Sequence, residues 1–178
     1  MIVDLDAVRA IAQAMRGRPW FSRLGAPLAD DEYALALSAA AGYHVAGIEA
    51  VPDLAAARAL ALEPAGAPAA DADAVEARLL RDRAAAAAGE KRVLADLSSI
   101  VDAALEPTIA AARSALSAVG IVNDELARVL AGAAALGAYH AALARACGKP
   151  EHPFVAIDRL FALGRWPLGP HRGRYAVL

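Results

Sequence analysis

The chain has 178 residues, a net charge of −2 and a single cysteine; 58% of it is hydrophobic, but only 5% is aromatic. That balance excludes a general polyanion binder and any internal disulfide, and the length predicts one domain able to bury a core without staples. Alanine is by far the commonest hydrophobic residue. It is the best helix former and one of the poorest core fillers, so the expectation is an all-α bundle of about five to seven closely packed helices, with Leu, Val and Ile supplying bulk.

Residues 4–16 place Leu5, Val8, Ile11, Ala12 and Met15 at helical spacing, with Gly17 and Pro19 ending the run. Asp4 and Asp6 leave no room for the apolar core of a signal peptide, and the lone cysteine fits a reducing, cytoplasmic setting. A basic, aromatic connector follows, in which Trp20 and Phe21 are expected to tuck into the bundle as a plug.

A helix over 29–50 restarts with Asp30, Asp31 and Glu32, acids where an N-terminus favours them, and carries the stripe Tyr33, Leu37, Ala40, His44, Ile48. A short helix over 53–62 comes next. Residues 64–70, with two prolines and a glycine, read as a surface linker within one domain spanning 1–178.

Asp73 with Glu76 has the spacing of a capping box and predicts a helix start there. The phase Val75, Leu79, Ala86, Val93, Leu97, Ile100, Ala104 then runs on past Pro107 through Ile109, Ala112, Leu116 and Val119. Unbroken over 72–118, it would be about 70 Å long, against about 40 Å for a compact domain of this size. Gly89 is therefore the expected break, and Pro107 a kink or second break.

Asn123 or Asp124 caps the next helix, whose stretch 129–144 has no charge and reads as the central axle of the bundle. Its apolar face is Val122, Leu126, Val129, Ala133, Leu136, His140, Leu143 and Cys147. The uncharged run is short for a membrane span, so no membrane partner is expected. Residues 150–178 hold two of the three Phe, one of the two Trp and two of the four His, and so read as a distinct cap. The cap begins with a helix over 154–163 and ends in a short β-hairpin.

No CxxC, HExxH, Glu-x-x-His, GxSxG, GxGxxG or phosphate-loop pattern is present, so no cofactor is implied. The remaining constellation is His44 with His140, each preceded by a tyrosine, Tyr43 and Tyr139, after a run of small residues. Were their helices neighbours, the two imidazoles would bind a metal with Glu49 or Glu32, grip a small polar ligand, or run acid–base chemistry. The competing account is that each histidine is a hydrogen-bonded core residue. A second set is basic: Arg159, Arg165, His171, Arg172 and Arg174, with Trp166 as a stacking face, in a segment free of acids from Arg159 onward. Arginine suits phosphate or carboxylate, but these residues also suit pairing with Asp96, Asp102, Glu106 or Asp124, and the charge is too little for nucleic acid. Cys147 is expected to be buried and inert.

Three functions follow in order. The first is a non-catalytic bundle acting through protein contacts, as a homodimer or with another protein. The second is a small-ligand or metal-binding bundle around His44 and His140. The third is an anion-binding module using Arg165, Arg172 and Trp166.

Overall fold

The computed structural model describes residues 14–15, 17–62 and 68–178. Among the described residues are six helices and one three-stranded sheet. The helices are α1 (Asp30–Ala39), α2 (Leu54–Leu62), α3 (Pro68–Ala88), α4 (Glu90–Ala118), α5 (Asp124–Ala146) and α6 (Pro153–Ala162). The strands are β1 (Ile48–Ala50), β2 (Pro167–His171) and β3 (Arg174–Val177), in the order β1-β3-β2. The mostly helical bundle and the terminal hairpin agree with the sequence. The helix expected over 4–16 lies almost wholly outside the described residues.

The hairpin turns through Arg172 and Gly173, both with positive φ (46° and 75°). That pair of conformations matches the right-handed twist of the flanking strands. Prolines 167 and 170 sit on β2, an edge strand, where a missing N–H costs no ladder bond and discourages a further strand. The sheet also contains a strand that the periodicity did not reveal. Ile48, Glu49 and Ala50 pair in parallel with Tyr175, Ala176 and Val177.

Helix α1 accordingly stops at Ala39 instead of reaching residue 50. Gly42 follows with φ 104°, a conformation that ends helical phase, and the chain turns toward β3. His44 thus lies in the loop 41–47 and not on a helix. The N-terminus of α1 is closed by Glu32, which reaches back to accept the Ala29 N–H at 2.9 Å.

Helix α3 begins at Pro68, five residues ahead of the expected start, with proline at a first-turn position where its missing N–H is harmless. Residues 64–67 of the expected linker lie outside the described residues, and 68–70 are helical. Asp73 and Glu76 therefore sit inside the helix, and their side chains are directed elsewhere. Gly89 breaks the long run as expected, with φ 87°. Pro107 does not end α4, which runs unbroken through it over 29 residues, Glu90–Ala118. Beside it, the buried Thr108 hydroxyl donates to the Ala104 carbonyl at 2.7 Å.

Helices α4 and α5 pack along each other, and here the sequence phase of α5 is misleading. The core side of α5 is Ala127, Ala131, Ala134, Ala135, Ala138, Ala141 and Ala142, joined near its end by Leu143. Val122 (94% exposed), Val129 (62%) and Leu136 (53%), expected inside, face outward. Bulk in this interface comes from α4, through Val93, Ile100 and Leu116, and small side chains on α5 allow close approach of the axes. The same inversion occurs in α1 and α3. There Tyr33, Leu37, Val75 and Leu79 are exposed, while Ala36, Ala39, Ala77 and Ala84 are buried. By length and composition α5 is long and apolar enough to cross a membrane; 44% of its most apolar window is buried within the fold.

The cap closes the bundle with rings. Phe21 stacks on Trp166 at 4.6 Å, Phe161 meets Trp166 edge-on at 4.8 Å, and Trp20 lies 6.0 Å from Phe161. Trp20 and Phe21 are buried, as the plug expectation required.

Candidate functional site

An open cavity of about 680 Å³ lies where α5, α6 and the hairpin converge. One wall is the outward side of α5: Ala133, Leu136, Gly137 and His140, a single face by their helical spacing. The facing wall is Phe154, Ile157 and Phe161 of α6, again one face, and β2 with Trp166 forms a third side. Asp73 and Ala74 of α3, Tyr43 from the 41–47 loop and Tyr175 of β3 complete it. Gly137 has a steric role here. A Cβ at this position would lie 2.8 Å from Cε2 of Phe161, so glycine lets that ring lie against α5.

Two polar groups converge on this apolar space. The His140 ring is stacked on Phe154 at 4.7 Å. Burial, aided by His152, pushes its pKa down to about 4, so the imidazole is neutral at physiological pH. A neutral imidazole donates one hydrogen bond and accepts another, but one with so low a pKa is a weak general base at neutral pH. The second group is the Asp73 carboxylate, which accepts the Tyr43 hydroxyl hydrogen bond. Burial, then the bond and charge of Asp73, raise the Tyr43 phenol well above its usual range. The Tyr175 phenol is raised as well, by burial and Asp73, and its ring lies 6.0 Å from that of Tyr43.

Behind His140 stands a supporting set. His152 caps α6: its Nδ1 accepts the Phe154 N–H at 3.3 Å, which directs Nε2 to Glu76 at 3.2 Å. Lys149 donates to the same Glu76 oxygen, also at 3.2 Å. The hydrogen bonds from His152 and Lys149 hold the Glu76 carboxyl below the usual range. The histidine near His140 is therefore His152, which caps α6, is 4.7 Å ring-to-ring from Phe154 and was not singled out as a site residue in the sequence.

The residues picked from the sequence have separate fates. His140, Tyr43 and Trp166 are brought to one cavity. His44 is exposed and does not line it; Glu49 is half-buried in β1, its backbone in register with Ala176. No group of three or more His, Cys, Asp or Glu side chains suited to a metal occurs among the described residues. Tyr139 is half-buried, 5.6 Å ring-to-ring from His140, and burial raises its phenol. Arg172 is exposed in the hairpin turn.

Arg165 is buried and engaged by protein. Its Nη1 donates to the carbonyls of Arg23 (2.9 Å) and Ala26 (2.6 Å), and its Nη2 to Pro27 (2.5 Å) and Glu32 (2.7 Å). Glu32 also accepts Arg23 Nε at 3.2 Å. Burial opposes the charge on Glu32, but Arg165, the Ala29 N–H and Arg23 outweigh it and lower the carboxyl to about 2. The expected pairing of Arg165 with an acid is present, though with Glu32 and not with Asp96, Asp102, Glu106 or Asp124. Cys147 is buried, its thiol donating to the Leu80 carbonyl at 3.3 Å and raised in pKa by burial.

Asp73, Phe154 and Phe161 were missed as site residues. The aromatic enrichment after residue 150 was the available signal for the two rings, whereas Asp73 was hidden by its resemblance to a helix cap. Compared with known proteins, the chain matches no protein-family model, no curated protein and no solved structure.

Proposed function

We propose that this chain is a small-ligand-binding helical bundle whose site is the cavity between α5, α6 and the hairpin. The observation that carries the reading is the cavity itself: about 680 Å³, mainly apolar and aromatic, with His140 and Asp73 converging on it. Ligand pockets fall at about 300–1,000 Å³ and combine an apolar lining with a few placed polar groups. The ligand class is a ring-bearing, largely apolar molecule with one polar substituent. His140 acts by orienting it and not as a base, in keeping with its low pKa. A cytoplasmic setting belongs to the same proposal, consistent with one buried thiol.

The test uses phenylethanol as a neutral probe. Ala133 is exposed and lines the cavity, so Ala133→Trp obstructs the space while leaving the buried face of α5 intact. The native chain should gain thermal stability, about 2.7 kcal/mol at a hundredfold excess over the dissociation constant, and the variant should not. No gain in the native chain, or an equal gain in both, would refute the site.

A second reading, contact with another protein or a second copy of the chain, draws on Val129 and Leu136 exposed along one side of α5 and on Val122 exposed just ahead of it. Sedimentation of the native chain against Val129→Glu tests it. An assembly that dissociates in the variant supports it, and a native monomer removes the homodimer.

A further inference from the structure

Resting on the reading of the cavity as a ligand site, we infer that its ligand is an organic amine, its ammonium group held by Asp73 among the rings of Tyr43 and Tyr175 and its apolar body against α5 and α6.

Among the described residues of the lining, Asp73 is the one acid, and no lysine or arginine occurs. An anionic ligand would enter an apolar space facing a carboxylate, with no cation among the described lining to offset it, at a cost that grows as water is excluded. His140 does not reverse the sign, because burial keeps it neutral at physiological pH. Tyr43 occupies one acceptor position on Asp73. A carboxylate offers about four such positions, so the group can receive a ligand N–H as well.

The surrounding rings favour the same chemistry. Tyr43 and Tyr175, 6.0 Å apart between centroids, both lie in the field of Asp73. An ammonium beside a carboxylate and over aromatic faces gains from both, and more so when partly desolvated. A bare metal cation suits the site poorly, since the described residues assemble no set of three ligating side chains. Phe154, Ile157 and Leu136 would cover the remaining carbon skeleton.

The experiment compares three near-isosteric probes at neutral pH by calorimetry: phenylethylamine, which is protonated there, phenylethanol, and phenylacetate. The native chain should bind the amine about tenfold or more tightly than the alcohol, and phenylacetate weakest. Asp73→Asn keeps an oxygen for the Tyr43 hydroxyl and removes the charge. It should bring amine and alcohol within about twofold, through loss of amine affinity. Tyr43→Phe, which keeps the ring, should retain the amine preference and shows whether loss in Asp73→Asn comes from charge or from disturbed packing. Alcohol binding without amine preference, or a preference that survives Asp73→Asn, overturns the inference and leaves the ligand site standing. Failure of all three probes to bind overturns both.

Discussion

Helices α4 and α5 meet through alanine, whereas the C-terminal cap meets the bundle through aromatic rings and buried ion pairs, Arg165 with Glu32 and Asp158 with Arg18 and Arg145. The first region is filled tightly by small side chains on α5 against Val93, Ile100 and Leu116 of α4. The second spans the gap with Phe154, Phe161 and Trp166, and rings set at angles to one another leave a cavity beside them. The lesson is a division of labour. Alanine-faced helices give a close-packed body with almost no chemical content, and the chemistry gathers where larger, sparser residues close over it.

If the cap depends on specific polar anchoring, its largest weakness is Arg165. Arg165→Leu removes four hydrogen bonds and leaves Glu32 and three carbonyls without that partner. Denaturant unfolding should show a loss of about 3–5 kcal/mol, the range for breaking one side of a buried pair. A loss below about 1 kcal/mol, the level of a surface pair, would mean that Arg165 does not anchor the cap.

Next comes the acid response of the cavity wall. His140 has a pKa of about 4 in the fold against an ordinary 6.5, so between these values the unfolded chain takes up a proton that the native chain refuses. Its contribution is full above about pH 6.5 and is lost as pH falls toward 4, at most about 3 kcal/mol. Glu32 acts lower: its stabilisation is present above about pH 4.5 and disappears as pH falls toward 2. His140→Gln should flatten stability between pH 6.5 and 4 and leave the lower limb in place. An unaltered profile in the upper window would contradict the burial of His140.

A matched pair on α5 sharpens the contrast further. At Gly132 a Cβ meets nothing within 4 Å, so Gly132→Ala should stabilise by about 0.5–1 kcal/mol through helix propensity. At Gly137 the added carbon collides with Phe161, and Gly137→Ala should cost about 1–2 kcal/mol net of the same gain. Equal effects at the two positions would show that Phe161 is not pressed against α5. Smallest of all is Val129→Ser, on the outward side, expected within about 0.5 kcal/mol in thermal unfolding of the monomer. A larger, concentration-dependent loss would point instead to a covered face and the protein-contact reading.

Local punctuation was readable in the sequence. Gly89, the Asn123 cap and the terminal hairpin all follow from residues with strong backbone preferences. Which side of each helix is buried was not. Periodicity gives weight to large apolar residues, so Val129 and Leu136 pulled the expected core to the wrong side of α5. The fold inverted this because α4 supplies bulk, and only alanine on α5 lets the axes come close. β1 was hidden for a different reason: Ile48–Ala50 is a strand only because β3, more than a hundred residues later, provides its hydrogen bonds. The site was half visible. His140, Tyr43 and Trp166 were named, but His44 was coupled to His140 by an assumed helix that ends at Ala39. Asp73 looked like a cap because its partner Tyr43 is thirty residues away in sequence.

The central claim is that the space under the cap binds a ligand, and isotope-edited NMR during titration with phenylethanol tests it directly. Saturable shifts should appear at the amides of Gly137, Leu168 and Gly169 and at the ring of His140, and they should be absent from the middle of α4 around Ile100. No saturable shifts, or shifts centred on α4, would contradict the account.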